Sequence, residues 1–199
     1  LRVNADMTQV DLLDASPELR DGGTMHNASI WYDAKGTPFL AFPGVDRAAM
    51  HPFMKAAPAL PRLLGARGYR SLQTGKFWEG HFSNAGFTDG MTVKGRHGDE
   101  GLDIGRKTLK PVTDFIESAG EKPWFVWYAP MLPHEPHNPP ERLLKKYAVG
   151  GRNLKLAKYY AMCEWFDETC GEVLGWLDAK GLRGNTLVVF VIDNGWIQE

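Results

Sequence analysis

Three polar groups in this chain each follow an apolar or extended run, and they are its best candidates for chemistry. Asp193 and Asn194, in Asp193-Asn194-Gly195, follow the run from Leu187 to Ile192. A carboxylate and an amide carbonyl are hard oxygen donors of the kind that hold Ca2+ or Mg2+. The same three residues are also common turn chemistry. His134 lies in Pro133-His134-Glu135-Pro136-His137, after Trp124 to Tyr128. The prolines stiffen that backbone and hold an imidazole that can donate to an anionic ester or protonate its leaving group. A surface loop with two ordinary histidines is the plainer reading. Taken as a zinc pair, His134 and His137 lack the helical i, i+4 spacing. Lys76 follows Gly75 after Tyr69 to Thr74. A compact ammonium beside a glycine turn suits a tetrahedral anion, although a single lysine is also commonly a solvated surface charge.

Other chemistries find less support. Lys76 is not part of a phosphate-binding P-loop, because Arg70 stands at the required earlier glycine and Phe77 where Ser or Thr would meet magnesium. No Gly-x-Gly-x-x-Gly follows a strand-like run, which leaves a dinucleotide site unsupported. Arg96-His97-Gly98-Asp99 reads as a solvated loop, Trp165 as packing, and Asp167 as a structural hydrogen-bond acceptor near the apolar stripe of its helix. Cys163 and Cys170 lie seven apart on that helix, which separates their Cα atoms by about 10 Å, beyond disulfide reach. They are expected to be buried free thiols. Asn27-Ala28-Ser29 matches the glycosylation acceptor pattern but is too short to weigh.

The elements that must position these groups are regular from Pro58 onward. Pro58 to Arg67 reads as a helix closed by Gly68, and Tyr69 to Thr74 as a strand broken by Gly75. Asn84 to Gly105 is a Gly-rich loop. Thr108 to Ser118 is helical, with Leu109, Val112, Phe115 and Ile116 on one face. Trp124 to Tyr128 reads as a strand covered on both faces, emptying into a loop punctuated by prolines. A long helix follows, striped by Leu156, Tyr160, Cys163, Phe166, Cys170, Leu174 and Leu177 and ended by Gly181. Leu187 to Ile192 reads as a second doubly buried strand. This order predicts an α/β fold around a largely parallel sheet, in which ligands bind outside the carboxyl ends of the strands. The three groups should then face one crevice. Residues 1–57 show no sustained period, with short strands expected at Ser29 to Tyr32 and Phe39 to Phe42. They are set apart from 58–199, which carries the regular grammar as one domain.

The chain has 199 residues and a formal net charge of -1 with acids and bases interspersed. It can bury one sizeable core and shows no electrostatic footprint for nucleic acid or an anionic membrane. A small polar substrate is the expected partner. No apolar run approaches the roughly 20 residues of a membrane span, and Leu1 to Val10 does not read as a signal peptide.

At this point the motifs resemble those of the sulfatase family. Pro58-Ala59-Leu60-Pro61-Arg62-Leu63-Leu64, then Gly68-Tyr69 and Gly75-Lys76, is similar to the helix and strand leading to that family's active-site lysine. Trp124 to Pro136 resembles its strand and Pro-His-x-Pro loop. Tyr159 to Gly195 resembles its long helix, final strand and metal-binding Asp-Asn-Gly. The likeness implies an alkaline-phosphatase-like α/β fold, incomplete at both ends, and hydrolysis of a small-molecule or carbohydrate sulfate ester with bound calcium, magnesium being possible. By position it makes Asp193 and Asn194 metal ligands and Lys76 and His134 sulfate contacts, with His137 as a further substrate contact. It also implies a periplasmic or extracellular setting. The family's His two residues after the lysine is replaced by Trp78, for which His81 is the candidate substitute. Its nucleophile, a Cys or Ser in Cys/Ser-x-Pro-x-Arg that becomes formylglycine, has no counterpart, since Ala15 and Leu19 flank Pro17 at the matching positions. The expectation is therefore an internal portion of a sulfatase, inactive alone. A phosphoric ester hydrolase of the same superfamily and a non-catalytic domain binding sulfated glycans are the alternatives.

Overall fold

One strand of the described sheet is both buried and polar. Strand β5, Arg70–Gly75, reads RSLQTG, and every residue from Ser71 to Gly75 is buried. A computed structural model supplies the coordinates. It describes residues 2–3, 10–11, 29–32, 38–41, 52, 54–77, 79–93 and 100–192. The chain divides into two compact units, Leu1–Met131 and Leu132–Glu199.

In the first unit, β1 (Arg2–Val3) pairs antiparallel with β2 (Val10–Asp11), and β3 (Ser29–Tyr32) with β4 (Pro38–Ala41). The second pair lies within one residue of the two short strands expected there. Helix α1, Leu60–Gly65, carries Pro61 in its first turn, where the missing N–H costs nothing. Gly68 follows at a φ of +83°, suiting a residue without a Cβ. The segment read from sequence as one long loop contains β6, Asp89–Gly90, which lies parallel to β5. Helix α2, Lys110–Ala119, leads to β7, Trp124–Ala129. The sheet order is β6-β5-β7, all parallel, with Arg70 opposite Trp124 and Gly75 opposite Ala129.

Helix α2 buries Val112, Phe115, Ile116 and Ala119, an i, i+3, i+4, i+7 set that forms the expected inner face. A second cluster of Met54, Ala85 and Phe87 gathers Phe77, Phe82 and Phe125 around it. Arg62 ties these pieces together, donating to the carbonyls of Ala57, Met54 and Asn84. Strand β7 exposes Trp127 by 45% and half-buries its other residues, rather than being covered on both faces. It is the edge of the described sheet, and an edge strand shields only what one neighbour and the packed face can cover.

Ser71 and Thr88 explain how a polar residue is tolerated in the central strand. The Ser71 amide donates to Thr88 Oγ1 at 2.8 Å, Thr88 Oγ1 donates back to the Ser71 carbonyl at 2.9 Å, and the Thr88 amide donates to Ser71 Oγ at 3.1 Å. These bonds continue the ladder just before β6 begins.

The second unit is built on α3 (Glu141–Tyr147) packed against α4 (Leu154–Ala179). Asn153 caps α4 by accepting from the Lys155 amide at 2.8 Å. The fully buried residues of α4 are Ala157, Ala161, Met162, Thr169 and Leu177. This face is rotated from the expected stripe, whose Tyr160 is exposed and whose Cys163, Phe166 and Cys170 are half-buried. Small alanines let a neighbouring helix approach, so they are buried where larger residues are not. Arg142–Glu168 and Lys146–Glu164 ion pairs join the two helices at their exposed rim.

Leu187 to Ile192 departs furthest from expectation. No described residue forms a ladder with it, and each of its six residues is exposed, from 46% at Val188 to 89% at Leu187. Apolar composition suits a strand, but a strand forms only where a neighbour accepts its backbone groups. The Phe190 ring lies 6.0 Å from that of Phe166 between centroids.

Two outcomes test these packing statements. Thr88→Val keeps the shape but strands the buried Ser71 amide, so urea unfolding should show a loss of about 1–3 kcal/mol. Hydrogen bonds from Lys146 and Tyr147 hold Glu164 below the usual carboxylate range, and one from Arg142 does the same for Glu168. A depressed folded pKa gives stability that is present above about pH 4.3 and lost as pH falls further. Thermal melts between pH 6 and pH 3 should show this loss, and Arg142→Ala combined with Lys146→Ala should flatten it.

Candidate functional site

The carboxyl end of β5 is held more tightly than the strand behind it. Gly75 has a φ of +68°, and a Cβ there would lie 1.8 Å from the Ala129 carbonyl oxygen. Only glycine can therefore occupy the position. The close approach lets the Lys76 amide donate to the same carbonyl at 2.7 Å, while Trp127 Nε1 donates to the Lys76 carbonyl at 3.3 Å. Gly101, in the turn Glu100–Asp103, is pressed against Gly75, and a Cβ on it would sit 3.1 Å from the Gly75 oxygen. The Gly75 oxygen accepts from Gln73 Nε2 at 3.1 Å and from Thr92 Oγ1 at 3.4 Å. Lys76 thus leaves the sheet from a peptide fixed on every side.

Because β5 and β7 run parallel and in register, Lys76 and Pro130 emerge at the same end of the sheet. Arg106 reaches that end too, donating through Nη2 to the Met131 carbonyl at 2.6 Å. Burial lowers its pKa, but a guanidinium stays charged across the physiological range. Sequence reasoning missed Arg106 and the Gln73–Thr92 pair. The signal for the pair was present: Ser71, Gln73 and Thr74 are polar residues in a strand that the fold requires to be buried.

His81 is the cap of the turn Phe82–Ala85. Its Nδ1 accepts from the Ser83 amide at 3.2 Å, and its ring lies 4.2 Å from that of Phe82. An amide can only donate, so the ring proton belongs on Nε2. In the second unit, His134 is exposed, and its Nδ1 faces the Glu135 carbonyl at 3.0 Å. A carbonyl only accepts, so here Nδ1 carries the proton and Nε2 is the acceptor of the neutral ring. His137 is half-buried with its ring 6.0 Å from Tyr159. Asp193, Asn194, Trp78, Asn27 and Arg96 to Asp99 lie outside the described residues. Among the described residues no group of three or more His, Cys, Asp or Glu is gathered as a metal site.

The remaining candidates fall away. Asp167 is exposed and Trp165 half-buried on α4. Cys163 and Cys170 are free and half-buried, with burial raising both thiol pKa values. An open groove of about 490 Å³ beside β6 and α2 does not include Lys76. Its charges are already spent, Arg70 on Asp89 and Ser118, and Asp114 on Lys110.

In open parallel α/β sheets ligands bind outside the carboxyl ends of the strands, the end at which Lys76 leaves β5. The sulfatase family model matches residues 25–197, and the chain belongs to the sulfatase family. That membership carries the alkaline-phosphatase-like α/β class with it. The chain is 30% identical over 93 residues to an N-acetylgalactosamine-6-O-sulfatase of Bacteroides thetaiotaomicron, a match covering 47% of this chain and 17% of that protein. Among solved structures it is similar to Ps i-CgsB in complex with k-i-k-neocarrahexaose, with a TM-score of 0.49, 16% identity, and coverage of 71% of this chain and 45% of the other. It is also similar to the lipoteichoic acid synthase LtaP of Listeria monocytogenes, with a TM-score of 0.47, 15% identity, and coverage of 70% and 37%. The chain therefore spans less than half the length of each of these relatives. No described helix is long and apolar enough to cross a membrane.

Gly75→Ala should cost more than about 3 kcal/mol in denaturant unfolding, because to the positive φ that it shares with Gly120 it adds a clash with the backbone of β7. Gly120→Ala, where an added Cβ meets nothing within 4 Å, should cost markedly less.

Proposed function

We propose that this chain carries part of the anion-holding side of a sulfatase active site, with Lys76 as the cation that meets the sulfate group. The observation that carries this reading is the seat of Lys76, whose preceding peptide is bonded through both its N–H and its C=O. A solvated surface lysine needs no such seat, whereas a cation that must meet a small anion gains from being aimed before binding. His134 is the second sulfate contact, through Nε2, which becomes a donor when the ring is protonated. His137 and the Nε2 edge of His81 are further substrate contacts. Asp193 and Asn194 have the oxygen donors that suit Ca2+, with Mg2+ possible, and the ion when bound would neutralise sulfate oxygens.

The substrate class follows the name of the Bacteroides relative, and we take it to be a sugar sulfate. A periplasmic or extracellular setting belongs to the same reading. No Cys/Ser-x-Pro-x-Arg occurs in the sequence, so the chain by itself lacks the family's group for attack on sulfur.

The purified chain, given calcium and an aryl sulfate, should show no turnover above buffer. Calorimetry should still detect sulfate binding, weakened about tenfold or more by Lys76→Ala, which corresponds to about 1.4 kcal/mol or more. Turnover at a sulfatase-like rate would contradict the missing nucleophile. Unchanged sulfate affinity in Lys76→Ala would contradict the assignment of the lysine.

A further inference from the structure

Gln73 lies in the middle of the central strand with none of its surface exposed. A leucine-like residue would fill this position without any polar group to satisfy, and burying an amide costs free energy unless both of its ends are bonded. Both ends are bonded here. Oε1 accepts from the Thr92 amide at 3.0 Å, and Nε2 donates to the Gly75 carbonyl at 3.1 Å. The Gln73 carbonyl accepts from the Met91 amide at 3.0 Å, and Thr92, itself 1% exposed, adds its hydroxyl to the Gly75 carbonyl at 3.4 Å.

The group that these contacts hold is the Gly75–Lys76 peptide. Its N–H is already committed to Ala129 across the sheet, at 2.7 Å. The Gln73 amide fixes the other end of the same peptide plane, from the side of the 91–92 segment. With both ends held, rotation of that plane is blocked, and the direction in which the Lys76 side chain leaves the backbone is set. A buried amide has a directionality that an apolar side chain lacks.

We propose that Gln73 is a positioning residue for Lys76, and that its amide fixes the peptide from which the anion-binding lysine projects. This rests on the reading of Lys76 as the sulfate-contacting cation, and the experiment separates the two. Sulfate is titrated at constant ionic strength into the full chain and into Lys76→Ala, Gln73→Leu and Gln73→Glu, with the backbone amide of residue 76 followed by NMR under conditions where each variant is folded.

Lys76→Ala should remove the response. Gln73→Leu should weaken sulfate about tenfold in the folded molecules, beyond any loss of thermal stability. Gln73→Glu keeps the acceptor for Thr92 but turns a carboxylate oxygen on the Gly75 carbonyl. At pH 8 it should be as weak as Gln73→Leu. As pH falls and the buried carboxyl takes up a proton, it can donate to Gly75 again, so its affinity relative to wild type at the same pH should recover. A purely structural Gln73 would lower the melting temperature and leave folded-state affinity unchanged. That result, with Lys76→Ala still abolishing binding, overturns the proposal for Gln73 alone. If Gln73→Leu fails to fold, the pH-dependent recovery of Gln73→Glu decides, and its absence overturns the proposal. An unaltered response in Lys76→Ala overturns the reading of the lysine instead.

Discussion

At Gly75 two parallel backbones come so close that the Ala129 carbonyl oxygen occupies the place of a side chain, 1.8 Å from where a Cβ would be. The rest of the crest depends on this approach. It brings the Lys76 amide within 2.7 Å of the same oxygen, and it leaves room for Gly101 on the opposite side. The missing Cβ atoms of Gly75 and Gly101 thus let three chain segments meet at one peptide. The lysine that follows inherits their rigidity.

The central strand accommodates this by being polar where its neighbour β7 is apolar. Ser71 is satisfied by Thr88, Gln73 by Thr92 and Gly75, and Thr74 by the Trp127 carbonyl at 2.8 Å. Each of these side chains bonds to backbone groups of other segments, so strand β5 is tied to its surroundings by directional contacts. The apolar core lies to either side, in the inner face of α2 and in the Met54, Ala85 and Phe87 cluster. Hydrophobic burial holds the layers together, while the polar strand sets the orientation of its own end.

Much of this was legible in the residues. Gly68, Gly75 and Gly181 marked element ends because a positive φ was needed there, and all three have one. The inner face of α2 was readable from its period. Strand β6 was not, because two residues in a Gly-rich loop carry no period and Asp89–Gly90 is a strand only through its pairing with β5. The buried face of α4 was only partly readable: the stripe followed the spacing of its Leu, Tyr, Cys and Phe residues and includes the buried Leu177, but it leaves out the buried Ala157, Ala161, Met162 and Thr169. Leu187 to Ile192 has the composition of a core strand but no ladder partner among the described residues, a condition that lies outside the segment itself. Lys76 was legible as a strand-end cation, but its seat was not, since Thr92, Gly101 and Ala129 meet the Gly75–Lys76 peptide from segments that no local pattern joins to it.

Membership of the sulfatase family and the seat of Lys76 are separate observations, which the proposal that this lysine meets sulfate brings together. The family match spans residues 25–197, whereas the seat is a matter of hydrogen bonds at one peptide. The most direct test of their agreement is anomalous diffraction from crystals of the chain soaked in selenate, a heavier mimic of sulfate. The account predicts a selenium peak within hydrogen-bonding distance of Lys76 Nζ at the carboxyl end of β5. Selenium bound only elsewhere, for example at Arg70 at the opposite end of that strand, would contradict it.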